Sequence, residues 1–246
     1  MKQFNHVGLN VNIPQLKSIS HNKQRFYMSP EGDIFPSMTT VLGYMKQDVI
    51  MEWRKKVGEE EANKISTQAA RRGTSVHHMC EDYINNLSTY KNRRMPNEIE
   101  LFMSIQPILD NRIDNIITQE LAMWSKHLGV AGRVDCIAEF DGKLSIIDFK
   151  TSSKPKREEW IDNYFMQEAG YAIMFEERTG KPITQLVTII AVEDGNEPQV
   201  FVQHRDAWAK PLLSAIKIFK RDHNHEQVTE SIRHKFDNVV PGAIAV

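Results

Sequence analysis

Residues 132–153 read GRVDCIAEFDGKLSIIDFKTSS, and the charges in this stretch decide how the chain is read. Asp141-Gly142 between apolar runs is a strong two-residue hairpin signal. Residues 130–140 and 143–151 are therefore expected as consecutive antiparallel strands. Side chains alternate along a strand, so Leu144, Ile146, Asp148 and Lys150 share one face, while Ser145, Ile147 and Phe149 share the other. With Asp141-Gly142 as the turn centre, Phe140 pairs with Lys143, and counting back sets Asp135 opposite Asp148. Directly opposed residues have Cβ atoms about 5 Å apart. Two carboxylates that close repel unless a proton or a cation lies between them. A hard divalent cation with oxygen ligands, Mg2+ or Mn2+, meets that need. Lys150, one step along the same face, would stand beside it and could stabilise charge developing on a substrate or position a water.

The competing reading is a solvated strand face with an ordinary ion pair. The apolar neighbours Ile146, Ile147 and Phe149 weigh against it, because they predict a covered site. A one-residue change of register would undo the pairing of the two aspartates.

Outward from the hairpin, residues 115–124 are expected as a preceding strand. A helix over 158–179 follows, stopped by Gly180 and Pro182. QLVTIIAVED (185–194) and PQVFVQHR (198–205) are two more strands, and 205–222 a last helix. Upstream, 4–13 and 25–35 are expected as short strands, the latter turning at Ser29–Asp33. PSMTTVLGYM starts a helix capped by Ser37 or Thr39. Further helices are expected over 49–66, 68–87 and 97–113, the last broken near Pro107. This order implies one mixed sheet flanked by helices, an α/β or α+β domain. A single domain over 1–246 is expected, divided into an N-terminal hairpin and helices (1–67), a core (68–222) and a C-terminal tail (223–246).

The 246 residues carry a formal net charge of −1, so any grip on a polyanion must come from local clusters. The two cysteines are too few to ligate an iron–sulfur cluster and suggest a reducing compartment. No run of about 18 apolar residues predicts a membrane span, and the first residues resemble neither a secretory signal nor an Arg-rich transit peptide.

In RRGTSVHHMCEDYI (71–84), His77 and Glu81 are four apart and share a helix face. Gly73, one turn before His77, removes a side chain from that face and hints at close approach by something such as a phosphate backbone. His78 competes with His77 for the same role, and a lone helical histidine is more often a packed or solvated residue.

Taken together, G-x-x-D (132–135), I-I-D-x-K-T (146–151), RGTSVH (72–77) and a downstream Q-x-x-x-Y (167–171) resemble the PD-(D/E)xK nuclease superfamily. Within it they are most similar to the RecB-like exonuclease branch, which has mitochondrial and phage members. RFYMSPEGDIFPSMTTVL (25–42) is similar to the opening hairpin and helix of that branch, so the resemblance covers roughly 25–175. It implies a restriction-endonuclease-like α/β core and a metal-dependent DNA exonuclease acting on single-stranded ends. Alternatives of the same fold are a duplex DNA exonuclease, an endonuclease, or an inactive nucleic-acid-binding module.

The resemblance also implies roles. Asp135, Asp148 and the Phe149 carbonyl would ligate Mg2+ or Mn2+, with His77 also touching the metal. Lys150 would be the catalytic lysine and Glu120 an assisting acid. Gln167 and Tyr171 would line the site and the DNA, and Thr151 and Ser152 would contact phosphate. Arg72 and Arg133 are the basic residues nearest these motifs and further candidate nucleic-acid contacts. Some relatives hold an iron–sulfur cluster on four cysteines; this chain departs from them. Its aspartate motif also begins RVD rather than with proline.

KTSSKPKR (150–157) follows the site directly and is a candidate phosphate contact. Trp53, Trp124, Trp160 and Tyr164 lie near basic residues and could stack on unpaired bases. The resemblance implies DNA, single-stranded, as the partner, bound by a monomer in the cytoplasm of a bacterial host or encoded by a phage. An organellar matrix is the alternative.

Overall fold

A computed structural model describes residues 2–223 and 225–237. Eight strands and seven α-helices are formed among the described residues. Three short strands come first: β1 (Lys17–His21), β2 (Gln24–Met28) and β3 (Ile34–Pro36) form a small antiparallel sheet. Four helices follow: α1 (Met38–Met45), α2 (Gln47–Val57), α3 (Glu59–Ile84) and α4 (Pro96–Arg112). The main sheet is built from β4 (Ile113–Ser125), β5 (Val130–Phe140), β6 (Lys143–Ser152), β7 (Gln185–Val192) and β8 (Gln199–His204). Its strands lie in sequence order. All neighbours are antiparallel except β6 and β7, which are parallel and joined through α5 (Asp162–Thr179). The expected mixed α/β architecture is borne out.

The alternation read from the sequence sorts the core onto two faces of this sheet. Ile137, Ile146 and Leu186 pack with Met166, Ala169, Phe175, Leu212 and Phe219 of α5 and α6 (Arg205–Asp222). Cys136, Ile147, Phe149 and Val187 face the other way, onto Val76, Met79, Phe102 and Ile105 of α3 and α4. Each fully buried aliphatic or aromatic side chain contributes about 1.5–3 kcal/mol relative to exposure, so this two-sided burial fixes the orientation of β6. Asp141 and Gly142 have φ of 52° and 74°, both left-handed, as the two-residue hairpin turn requires.

Several boundaries differ from expectation. Residues 4–13 do not form a strand; a single bridge at His6–Ile116 ties them beside β4, and Gly8 at φ 78° turns the chain away. The strand lies instead at β1, joined to β2 through Asn22-Lys23, both at positive φ. The break expected near residue 67 falls at Gly58, whose φ of 88° ends α2; the Ala-rich stretch beyond it continues as one 26-residue helix. Pro107 does not interrupt α4. It sits on the exposed side, while Leu101, Phe102, Ile105 and Leu109 bury the opposite stripe, and that burial outweighs the local cost of about 3 kcal/mol. The helix expected over 158–179 begins as a separate 3-10 turn (Glu158–Trp160) before α5.

Of the segment expected as a tail (223–246), the described residues 225–237 fold back; residues 224 and 238–246 lie outside the described residues. After α7 (His225–Ile232), a 3-10 turn at Arg233–Phe236 places Ile232 and Phe236 against Ile19, Phe26 and Ile34 of the small sheet. Lys17 Nζ donates to the Phe236 carbonyl at 3.3 Å and Arg233 to the Gly32 carbonyl at 2.9 Å. Phe236 is fully buried. Phe236→Ala is expected to cost about 3 kcal/mol through the cavity it leaves, read as a lower urea midpoint at unchanged slope. An unchanged midpoint would mean that this packing does not stabilise the fold.

Candidate active site

The β5–β6 ladder runs from Phe140–Lys143 to Cys136–Ile147 in the counted register. The ladder ends one position before Asp135 and Asp148 would face each other. Asp135 Oδ2 accepts a hydrogen bond from the backbone N–H of Phe149 at 3.0 Å, so the donor freed at the opening keeps a partner. Asp148 is 1% exposed. Its Oδ2 is in ion-pair contact with Lys150, the neighbour two residues along the same strand face. Its Oδ1 accepts from Gln167 Nε2 at 3.0 Å, and the same amide donates to the Tyr171 hydroxyl at 3.2 Å. The four-residue spacing on α5 thus sets the Tyr171 hydroxyl against the Gln167 amide that reaches the carboxylate.

From the other side of the sheet, α3 brings His77. Its Nε2 lies 3.0 Å from Asp135 Oδ1 and 3.2 Å from Glu120 Oε1. Glu120 is flanked by the pairs Gln119–Cys136 and Leu121–Val134, which set it across from Asp135. Its φ of 51° is unusual for a non-glycine residue and costs of order 1–3 kcal/mol. Arg133 lies 3.8 Å from its other oxygen. Gly132 lets Tyr171 pack against β5, because a Cβ there would lie 2.6 Å from the ring.

All of these groups but the buried Asp148 border one cleft of about 450 Å³, lined by His77, His78, Glu120, Arg133, Asp135, Phe149, Lys150, Thr151, Gln167 and Tyr171. The small sheet closes it through Arg25 and Tyr27. A larger surface cleft of about 660 Å³ lies between α4 and the β7–β8 loop, but Glu100, Glu193, Asp194 and Glu197 line it, and such a wall repels phosphates.

Burial and charge shape the titration of the site. Burial pushes Asp148 up to about 6, with Asp135 adding to the shift and Lys150 opposing it. Burial also raises Glu120 to about 7, against the pull of His77. For His77, burial alone would lower the value, but the Asp135 and Glu120 carboxylates outweigh it and raise it to about 9. Asp135 is held below the usual carboxylate range: burial opposes this, and His77, Lys150 and the Phe149 N–H prevail. Lys150 stays charged despite burial because Asp148 and Asp135 face it.

The donor set fits a hard divalent cation. Three carboxylates and an imidazole converge, and Glu120 Oε1 is buried without an aligned hydrogen-bond partner. His77, Glu81 and Glu120 can each bring a ligand atom within 4.8 Å of the others. Glu81 is the residue the sequence reading undervalued; it was paired with His77 by spacing but given no ligand role.

Two expected contacts fall elsewhere. Arg72 pairs with Glu193 at 2.7 Å and does not line the cleft. Ser152 is 4% exposed; its hydroxyl donates to the Lys154 carbonyl at 2.6 Å, where it holds the following loop. Gly73 does line the cleft, yet a Cβ there would meet Thr151 Oγ1 at an ordinary 3.6 Å, so no neighbouring protein atom requires this glycine. Trp124 is buried and stacks beneath Arg178, a core role. Arg25, Tyr27, Ser37 and Thr39 join the cleft, although no motif or spacing marks them as site residues.

Residues 45–243 match the family described as the PD-(D/E)XK nuclease superfamily. Mitochondrial genome maintenance exonuclease 1 of Homo sapiens is 31% identical over 134 residues, which cover 50% of this chain and 38% of that protein. Its Xenopus tropicalis counterpart is 27% identical over 208 residues, 78% of this chain and 59% of that protein. That of Mus musculus is 29% identical over 129 residues, 49% and 38% of the two chains. The chain therefore spans between about two fifths and three fifths of the length of the curated relatives it matches.

The His77 imidazolium between two carboxylates makes a pH prediction for the metal-free protein. A histidine raised in the folded state stabilises it fully below about pH 6.5, and this contribution is lost as pH rises through about 9. In EDTA, the melting temperature of wild type minus that of His77→Ala should shrink between pH 6.5 and 9.5. A difference that stays constant across that window would show that the imidazolium does not carry the contact.

Proposed function

Because the chain belongs to the PD-(D/E)XK nuclease superfamily, we propose that it is a divalent-metal-dependent deoxyribonuclease hydrolysing phosphodiester bonds from the ends of single-stranded DNA. The observation that carries this reading is the meeting of Asp135, Asp148 and Lys150 where the β5–β6 ladder opens onto one cleft. The acids supply the negative charge that a hard cation requires, and Lys150 the positive charge that a phosphate requires.

Asp135, Asp148, the Phe149 carbonyl and His77 would hold Mg2+ or Mn2+, with Glu120 beside them. When bound, the ion supplies an acidified water and charge compensation at the phosphate. Lys150 stands ready on the Asp148 carboxylate and stabilises negative charge that develops on the phosphate as the bond to the leaving oxygen breaks. Gln167 fixes the rotation of the Asp148 carboxylate through Oδ1, and Tyr171 backs Gln167. Glu120, with its pKa near neutrality, suits proton transfer at physiological pH. Arg133 and Thr151 line the cleft as phosphate contacts. In-line attack by water with the P–O3′ bond breaking and a proton passing to the 3′ oxygen leaves 5′-phosphate and 3′-hydroxyl ends.

The net charge of −1 gives little long-range pull on a duplex, which supports a narrow cleft that admits a strand end. The protein acts as a monomer in DNA replication, repair or processing. Its setting is the cytoplasm of a bacterial host, phage-encoded included, or an organellar matrix. Among the described residues no helix is long and apolar enough to cross a membrane.

The test is cleavage of 5′- and 3′-labelled linear single strands, duplexes and circles with Mg2+, Mn2+ or EDTA. Linear single strands should be degraded only with metal, and circles spared. Lys150→Ala and Asp148→Asn should each lower the rate by at least about 100-fold while binding is retained. Cut circles would make the protein an endonuclease, and preferred degradation of duplex would move the substrate class. Binding without cleavage of any substrate would leave a nucleic-acid-binding module.

A further inference from the structure

We infer that Trp160 is a stacking platform for an unpaired base of the substrate strand, outside the metal-binding cleft. The inference rests on the nuclease reading above and adds to it a residue that senses single-strandedness. Of the four tryptophans, Trp124 is buried, Trp53 and Trp208 are half-buried, and Trp160 is 56% exposed. A lone exposed apolar side chain is ordinary; the support beneath this one is not.

Its backbone is held from three sides. Trp160 N–H donates to the Arg157 carbonyl at 3.0 Å, and its own carbonyl accepts from Lys46 Nζ at 3.1 Å. Lys46 also pairs with Asp162 at 3.1 Å. The next residue, Ile161, is 2% exposed and packs with Phe165, Ile190 and Val192. The turn is thus anchored in the core while its indole is left in solvent. A platform fixed in advance loses little ordering entropy when a base lands on it.

The surroundings select the ligand. The Arg157 guanidinium lies 5.0 Å from the indole centroid and 3.9 Å from Glu159; Glu158 and Glu159 precede the tryptophan in its turn, Lys154 and Lys156 stand just upstream in sequence, and Arg157 is the cation at the ring that suits a phosphate backbone. Aromatic face plus cationic border is the chemistry that recognises unpaired bases without reading their sequence. The platform also connects to the reacting centre. Tyr164, in the first turn of α5, has its ring 5.1 Å from Lys150 Nζ, and its N–H donates to the Ile161 carbonyl at 2.8 Å. The four residues from Trp160 to Tyr164 span at most about 14 Å of chain, so a strand whose phosphate lies at Lys150 has the tryptophan within reach of a few nucleotides.

The experiment measures binding of a labelled oligo-dT in EDTA by anisotropy, and steady-state cleavage with metal, for wild type, Trp160→Phe and Trp160→Ala. Stacking contributes about 1–3 kcal/mol per base, so Trp160→Ala should weaken oligo-dT binding by about 5-fold or more. Trp160→Phe should restore most of it. In cleavage, the loss should fall on KM with kcat nearly unchanged. An oligonucleotide of abasic residues should bind wild type and Trp160→Ala alike, because it retains phosphates and lacks bases. Equal oligo-dT affinity and KM for Trp160→Ala and wild type would overturn the inference, and metal-dependent cleavage by both would leave the nuclease reading intact. A deficit that persists on the abasic strand would also overturn it, by assigning the effect to the backbone. Tryptophan-dependent binding with no cleavage of any substrate would sink the nuclease reading and keep the platform.

Discussion

One backbone hydrogen bond organises the centre of this molecule: the Phe149 N–H donating to Asp135. A two-residue hairpin would normally keep pairing until its strands run out. Here pairing stops just where two carboxylates would have been forced face to face. The side chain of one acid takes over the work of the missing ladder carbonyl. The gap that results is where β4, α3 and α5 deliver Glu120, His77 and Gln167. Had the ladder continued, Asp135 would have been committed to a strand face, and the histidine on α3 would have met a closed sheet.

The charges in the gap compensate one another. Asp148 is almost fully buried and touches Lys150; Asp135 and Glu120 share His77. Removing Lys150 takes away the cation that touches the buried Asp148, and removing His77 takes away the one that Asp135 and Glu120 share, each costing several kcal/mol, whereas His77 keeps one carboxylate when the other is lost. The cluster holds together as a unit rather than as separate contacts. Burial raises the values of Asp148 and Glu120 towards neutrality, and that is the range where a site can exchange protons in the cell.

Much of this was readable in advance, for physical reasons. Asp141-Gly142 demanded left-handed backbone at both turn positions, so the register of β5 and β6 followed from counting. The 3.6-residue period on α5 put Gln167 and Tyr171 together. The β1–β2 hairpin was missed because its turn, Asn22-Lys23, adopts the same left-handed pair without a glycine to announce it. Glu120 was expected through the resemblance, but its contact with His77 was not legible: the side chain reaches the imidazole through a positive φ inside a strand, which no periodicity encodes. The ion pair of Arg72 was not legible, because an arginine near a motif carries no mark of its partner, and Glu193 is 121 residues away. The return of residues 232–236 onto the small sheet depends on contacts far apart in sequence and left no local signal.

That return sets an order of assembly. Arg25 and Tyr27 form a wall of the cleft, and the strand that carries them is backed by Ile232 and Phe236. On a ribosome emitting roughly 5–20 residues per second, the wall emerges early and waits for its backing until some two hundred residues more have been made. His77, Asp135 and Lys150 are all synthesised within that interval. The reactive groups therefore leave the ribosome before the cleft that would hold a strand against them is braced. A nascent chain of this kind passes through translation with its chemistry present and its substrate channel incomplete.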